Sequence, residues 1–241
     1  MKKRAAAAIV ILSCMCASCG IEEYYYLPAA FGASQSAANK GIVNLYGISY
    51  SYFLNFRIYY RIYVSDYVEL APGTGNFSQI NPTLTSDYSA FLTYINAETQ
   101  NTNMGTVFSG RKYYPLEVQG TNLDQDLLNV TGGGIVNLDF SDRKNPTIQV
   151  NGGTEYTLYR STGDGVFNPR PNRLFINDPE LYAASNINDT TNADVVNTTS
   201  TSPDRYTYAA FYIVAVGMDT NFSPIYSKPG FIGVLKLPEP F

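Results

Sequence analysis

From Ile42 onward the chain alternates apolar and polar positions in short runs. In "FRIYYRIYV", Phe56, Ile58, Tyr60, Ile62 and Val64 fall on one face. Arg57, Tyr59, Arg61 and Tyr63 fall on the other. A period of two is the mark of a half-buried strand. The same pattern predicts strands over 112–118, 134–140, 147–150, 155–161 and 172–176. Two longer ones are predicted within 205–219 and 222–237. Turn chemistry separates them, in "APGTGN" (71–76) and "SDRKNP" (141–146). One segment has helical spacing instead: Tyr88, Phe91, Leu92 and Ile95 recur at i, i+3, i+4 and i+7, with Thr85 or Ser86 as the expected cap. "GIVNL" occurs at both 41–45 and 134–138, too short a match to mark a duplication.

Composition supports a β architecture. The chain holds 21 Tyr and 13 Phe, with neither Trp nor His, and aromatic and β-branched residues favour pleated, half-buried surfaces. At 241 residues it is long enough to fold around a full core without cross-links. Residues 185–204 are almost wholly Asn, Asp, Thr and Ser and read as a long polar loop. The stretch Gly32–Asn39 is small and polar without periodicity and reads as a tether. Before it, Tyr24-Tyr25-Tyr26 suits an edge strand, a membrane-interface belt or a ligand patch alike.

All three cysteines, Cys14, Cys16 and Cys19, lie in "SCMCASCG" near the start. Thiolate metal sites need a fourth ligand, and the chain has no further Cys and no His to supply it. The flanking residues point elsewhere. "MKKR" is a basic head, Ala5–Leu12 a short apolar run, and small residues lead to Cys19, the anatomy of a secretory signal. The run is too short to span a bilayer, which takes roughly 20 apolar residues. Cys16-Ala17-Ser18-Cys19 resembles the relaxed lipobox of spirochaete-type bacterial lipoproteins, with Cys where Leu is usual. That resemblance implies removal of residues 1–18 and acylation of Cys19, followed by a tether to residue 40. Ile11-Leu12-Ser13-Cys14 is the competing box. Two or three acyl chains hold a protein firmly at a membrane, whereas one holds it marginally. The expected location is therefore the cell envelope, with the membrane as a partner through Cys19.

The domain expected over 41–238 is all-β. Its part over about 112–238 resembles a fibronectin type III, immunoglobulin-like β-sandwich, preceded by extra N-terminal strands and the short helical insertion. "YTYAAFYIVAVGMDTNFSPIYS" is similar to that family's penultimate strand, turn and last strand, with Tyr208, Tyr212 and Val214 in the strand and Ser223 and Ser227 after the turn. "EYTLYRSTGDGVF" is similar to its third strand and "VNLDFS" to its second, with Phe140 where the family keeps a core Trp. Such sandwiches host many unrelated functions, so the resemblance implies a fold and no activity.

The residue inventory narrows the chemistry. Without His there is no Ser–His–Asp triad and no His metal ligand, and an acylated Cys19 leaves no mature thiol nucleophile. "TGGGI" (131–135) lacks the Lys of a phosphate loop and reads as a turn. Net charge is −4, and −7 once Lys2, Lys3 and Arg4 leave with the leader. An acidic domain with no basic face is a poor match for nucleic acid. Paired carboxylates suited to glycoside cleavage are Asp124 with Asp126, Asp139 with Asp142, and Asp178 with Glu180. Asn186, Asn188, Asp189, Asn192, Asp194 and Asp204 are hard oxygen donors of the kind calcium takes, at a spacing that fits no EF-hand. Both sets read more simply as solvated loop residues.

The exposed-face line Tyr59, Arg61 and Tyr63 offers ligand contacts, because Tyr supplies rigid area and a hydroxyl at low entropic cost; a cross-strand network stabilising the sheet is the other reading. The resulting expectation is a non-enzymatic, lipid-anchored binding module for a protein or glycan, with no cofactor or metal. A structural or assembly lipoprotein and a carboxylate-dependent glycan hydrolase stand as alternatives.

Overall fold

A computed structural model describes residues 26–65, 77–98, 102–118, 120–142, 146–160, 193–196 and 206–238. The predicted strand over 172–176, the turn at 71–76, Tyr24, Tyr25 and all three cysteines lie outside these residues.

The chain is an all-β sandwich with helices on one outer face. Its strands are β1 (Phe31–Ala37), β2 (Lys40–Leu45), β3 (Phe53–Ser65), β4 (Tyr114–Pro115), β5 (Glu117–Val118), β6 (Gly134–Asp139), β7 (Thr147–Val150), β8 (Glu155–Tyr159), β9 (Val195–Val196), β10 (Tyr206–Met218), β11 (Pro224–Tyr226) and β12 (Gly230–Lys236). One sheet runs β1-β2-β6-β7-β8-β5. The other runs β11-β10-β3-β4, with β12 also on β10 and β9 parallel to β3. The two 13-residue strands, β3 and β10, pair antiparallel along nearly their whole length and form its spine. The two GIVNL segments pair with each other, Gly41 opposite Leu138 and Leu45 opposite Gly134.

Several expectations are corrected. The tether reading fails for Phe31–Ala37, which forms β1. Its small side chains give no apolar period, but its backbone pairs with β2 and its face packs on β12, where Gln35 Oε1 accepts from Val234 N–H at 3.3 Å. The predicted strand over 112–118 breaks at Leu116, and the last long strand breaks between β11 and β12, beside Pro229, which has no N–H to give a ladder. In the fibronectin arrangement the third and penultimate strands share a sheet. Here the corresponding β8 and β10 lie in opposite sheets, and β3 takes the place beside β10. The N-terminal strands are thus integral to one sandwich.

The helix is real but starts earlier than expected. Helix α1 spans Pro82–Ile95, capped by Asn81, whose side-chain oxygen accepts from Thr83 N–H at 2.9 Å. Asn-Pro is the stronger start, since Pro at N1 forfeits an N–H that has no partner there anyway. A second helix, α2 (Met104–Gly110), was not read from the sequence. Neither was a single π-helical turn at Leu123–Leu127.

Two apolar layers result. Val43, Phe56, Ile58, Val136, Leu138, Ile148, Phe211 and Ile213 fill the space between the sheets. Phe140 is buried there with its ring 5.3 Å from that of Phe211. Tyr59, Tyr63, Phe91, Phe108, Tyr113 and Tyr212 fill a second layer between β3–β10 and the helices. Full burial of each large side chain contributes roughly 1.5–3 kcal/mol, so the helical cover is part of the core.

Candidate binding cleft

The line expected to meet a ligand is inside the protein. Tyr59 is 5% exposed and Tyr63 fully buried, because α1 and α2 close over that face of β3. Tyr59 stacks on Phe108 at 4.1 Å between ring centres. Arg61 Nη1 donates to Asp87 of α1 at 2.7 Å, and Arg111 Nη1 donates to the other oxygen at 3.0 Å. Tyr63 O–H donates to the same carboxylate at 2.6 Å, and its oxygen lies 2.8 Å from that of Tyr113. The cross-strand reading was closer, although the network runs from sheet to helix. Burial pushes the Tyr63 and Tyr113 phenols well above their usual value, and the Asp87 carboxylate adds to the effect on both; Tyr63 raises Tyr113 further, whereas the hydrogen bond with Tyr113 lowers Tyr63 in part.

The carboxylate pairs are not assembled for acid–base work. Asp124 is held by Arg57, whereas Asp126 turns outward to accept from Thr121 Oγ1 at 2.6 Å and Asn122 N–H at 2.9 Å. Asp139 accepts from Lys40 Nζ at 2.7 Å and from Ser141 N–H at 2.8 Å, while Asp142 is exposed. Asp178 and Glu180 lie outside the described residues. Of the oxygen donors considered for calcium, Asp194 is buried and bound by Arg160; Asn186, Asn188, Asp189, Asn192 and Asp204 lie outside the described residues. Among the described residues, no three His, Cys, Asp or Glu side chains converge on a metal position.

What the fold does open is a cleft of about 450 Å³ beside β3, next to its pairing with β4. Pro115, Leu116, Glu117 and Val118 line one side, Gly120–Asp124 the other, with Arg57 between them. The walls hold their places by backbone bonds to β3: Leu116 N–H donates to Ile58 O at 2.8 Å and Phe56 N–H to Leu128 O at 3.0 Å. Arg57 Nε donates to Asp124 Oδ2. Asp124 Oδ1 is buried and accepts no hydrogen bond. Burial opposes the charge on Arg57, but Asp124 and Tyr59 beside it more than offset this, so its pKa is raised. Burial also raises the Asp124 carboxyl above its usual range, against the pull of Arg57. Tyr59, behind Arg57, is pushed up to about 12 by burial, with Arg57 opposing.

The sequence offered Arg57 only as one member of a polar face, and Asp124 only as half of an acidic pair. Their meeting is a long-range contact that no local spacing signals. Among the described residues no helix is long and apolar enough to cross a membrane. Compared with protein-family models, curated proteins and solved structures, the chain matches none of them.

Proposed function

We propose that this chain is a lipid-anchored cell-envelope protein whose sandwich is a non-catalytic binding domain for a macromolecular ligand. Acyl chains on Cys19 tie it to the membrane, and the cleft over Arg57 receives an apolar group of the ligand. The observation that carries the binding reading is this cleft: the surface it exposes is mostly apolar, and Arg57 and Asp124 within it already pair. Such concavities, with few polar groups to fix orientation, suit recognition. Asp87, Asp124, Asp139 and Asp194 each already face an Arg or Lys, which favours binding over acid–base chemistry. The anchor rests on the basic head, short apolar run and small residues before Cys19.

The test is photo-crosslinking in intact cells from a photoreactive residue at Thr121, on the cleft wall. Ser36, on β1 at the edge of its sheet farthest from β5, is the control. A discrete adduct from position 121 alone supports the reading, and its absence sinks it. Metabolic palmitate labelling tests the anchor separately: Cys19→Ala should abolish the label, and retained label would move the anchor to Cys14.

A further inference from the structure

The sandwich is polarised from end to end. At one end β2 finishes at Leu45, opposite the starts of β1 and β6. There also β3 begins, opposite the end of β10, and the β10–β11 hairpin turns. Every large apolar side chain that is exposed among the described residues belongs to this end. Tyr46 is 56% exposed, Tyr50 47%, Ile135 48% and Phe222 83%. Tyr52 ties the surface together: its hydroxyl donates to Tyr26 O at 2.9 Å, its carbonyl accepts from Met218 N–H at 2.9 Å, and its ring stacks on Tyr50 at 5.1 Å. Residues 26–30, 46–52, 129–134, 151–154 and 218–224 include a single charged residue, Asp219. Its carboxylate is occupied by Asn221 N–H and Ser223 N–H at 2.8 Å each. The opposite end carries Lys40, Asp139, Asp142 and Lys236.

We infer that this aromatic end is a membrane-contact surface, seated on the lipid headgroup layer of the bilayer that holds the protein. The inference rests on the proposed anchor at Cys19. Tyr rings with an apolar body and a polar tip favour the membrane–water interface. The occupant follows from where the chain enters. Tyr26, the first described residue, lies in this surface, only seven positions beyond Cys19. Seven steps of extended chain reach at most about 25 Å. The 13-residue strands β3 and β10 make the sandwich about 43 Å long at about 3.3 Å per residue. The acyl chains therefore hold the aromatic end close to the bilayer and cannot reach the charged end. With no Lys or Arg in those segments, the contact does not depend on anionic lipid.

The chain contains no Trp, so F222W places one indole at the aromatic end and D142W places one at the charged end. Y50W is a second reporter at the aromatic end should F222W disturb its turn. Each full-length variant, purified with its acyl chains and verified by mass, is reconstituted into phosphatidylcholine vesicles containing brominated lipid. Quenching of F222W and Y50W roughly twofold or more deeper than that of D142W is expected, because interfacial rings lie within reach of the acyl region. Equal quenching at both ends of a protein that floats with the vesicles overturns the inference and leaves the anchor standing. An F222W emission that shifts with protein concentration and ignores brominated lipid also overturns it, assigning the end to a second copy of the chain. A protein that has no acyl mass and does not float removes the anchor, and this inference with it.

Discussion

Arg160 and Asp194 stand 34 residues apart in sequence yet face each other in the interior, their side chains only 1% and 2% exposed. Arg160 Nε and Nη2 donate to the two carboxylate oxygens at 2.8 and 2.5 Å, and Tyr60 O–H donates to the same group at 3.0 Å. Arg160 follows β8 and Asp194 precedes β9, so the pair joins the chain just after β8 to the chain just before β9. Burial opposes the arginine's charge, but the Asp194 carboxylate more than offsets this and raises its pKa.

Removing one partner strands a charge in the core. Asp194→Asn is expected to destabilise the fold by about 3–5 kcal/mol, because Arg160 loses its counter-ion without regaining water. The double replacement R160M/D194L should recover most of that loss. Urea unfolding of the two variants side by side checks this, and a double variant no better than the single would show that the pair stabilises the fold on its own account.

Asp87 governs the helical cover rather than the sandwich. Asp87→Ala leaves Arg61, with its side chain only 12% exposed, without its carboxylate, at an expected cost of about 3 kcal/mol. Hydrogen exchange should show the loss of protection concentrated in α1 and α2. The β2–β6 pairing should stay protected; uniform loss across both sheets would contradict a local role.

Phe91 centres the aromatic layer, with the rings of Tyr212, Phe108 and Tyr113 at 4.4, 4.9 and 5.2 Å. Phe91→Ala should cost about 3–5 kcal/mol through lost burial and the cavity left behind. Thermal unfolding reads the cost directly. A change below about 1 kcal/mol would mean that the site collapses and the cover is not core.

Alkali should unfold the protein cooperatively. Burial holds Tyr59 up to about 12 and keeps Tyr63, Tyr113 and Tyr212 well above their usual 10.0. Above pH 10 the unfolded chain has released these protons while the folded chain retains them. Stability therefore falls as pH rises from about 10 towards 12 and beyond, by up to about 1.4 kcal/mol per pH unit for each phenol. Tyrosinate absorbance should rise in two stages, exposed rings first, and Tyr59, Tyr63, Tyr113 and Tyr212 only with loss of β-sheet circular dichroism. A single smooth titration on a folded chain would contradict this.

The alternation in β3 was legible because it is local, and the same strand shows where local reading stops. Phe56, Ile58, Tyr60 and Ile62 do face the space between the sheets. The opposite face, with Arg57, Tyr59, Arg61 and Tyr63, looks solvent-exposed from its polar groups. It is covered because Asp87 arrives from α1 to accept from Arg61 and Tyr63, and Asp124 from the π-helical turn to accept from Arg57. Along α1, Tyr88, Phe91 and Ile95 do pack on the aromatic layer, joined by Leu84 and Asp87, which the spacing did not include. β1 was missed because an edge strand of Gly, Ala, Ser and Gln is specified by backbone pairing, which leaves no periodic trace.

The sequence by itself determined the β class, the long strands and the residue chemistry on hand, since these follow from side-chain period, turn residues and composition. The tertiary structure alone decided which polar face is interior, that Arg57 and Asp124 meet at a cleft, and that the exposed aromatics share one end with Tyr26. Those outcomes depend on which strands and helices come to lie side by side. Pairings between residues tens of positions apart are fixed by the summed burial and hydrogen bonding of the whole chain, and no short window of sequence contains that sum.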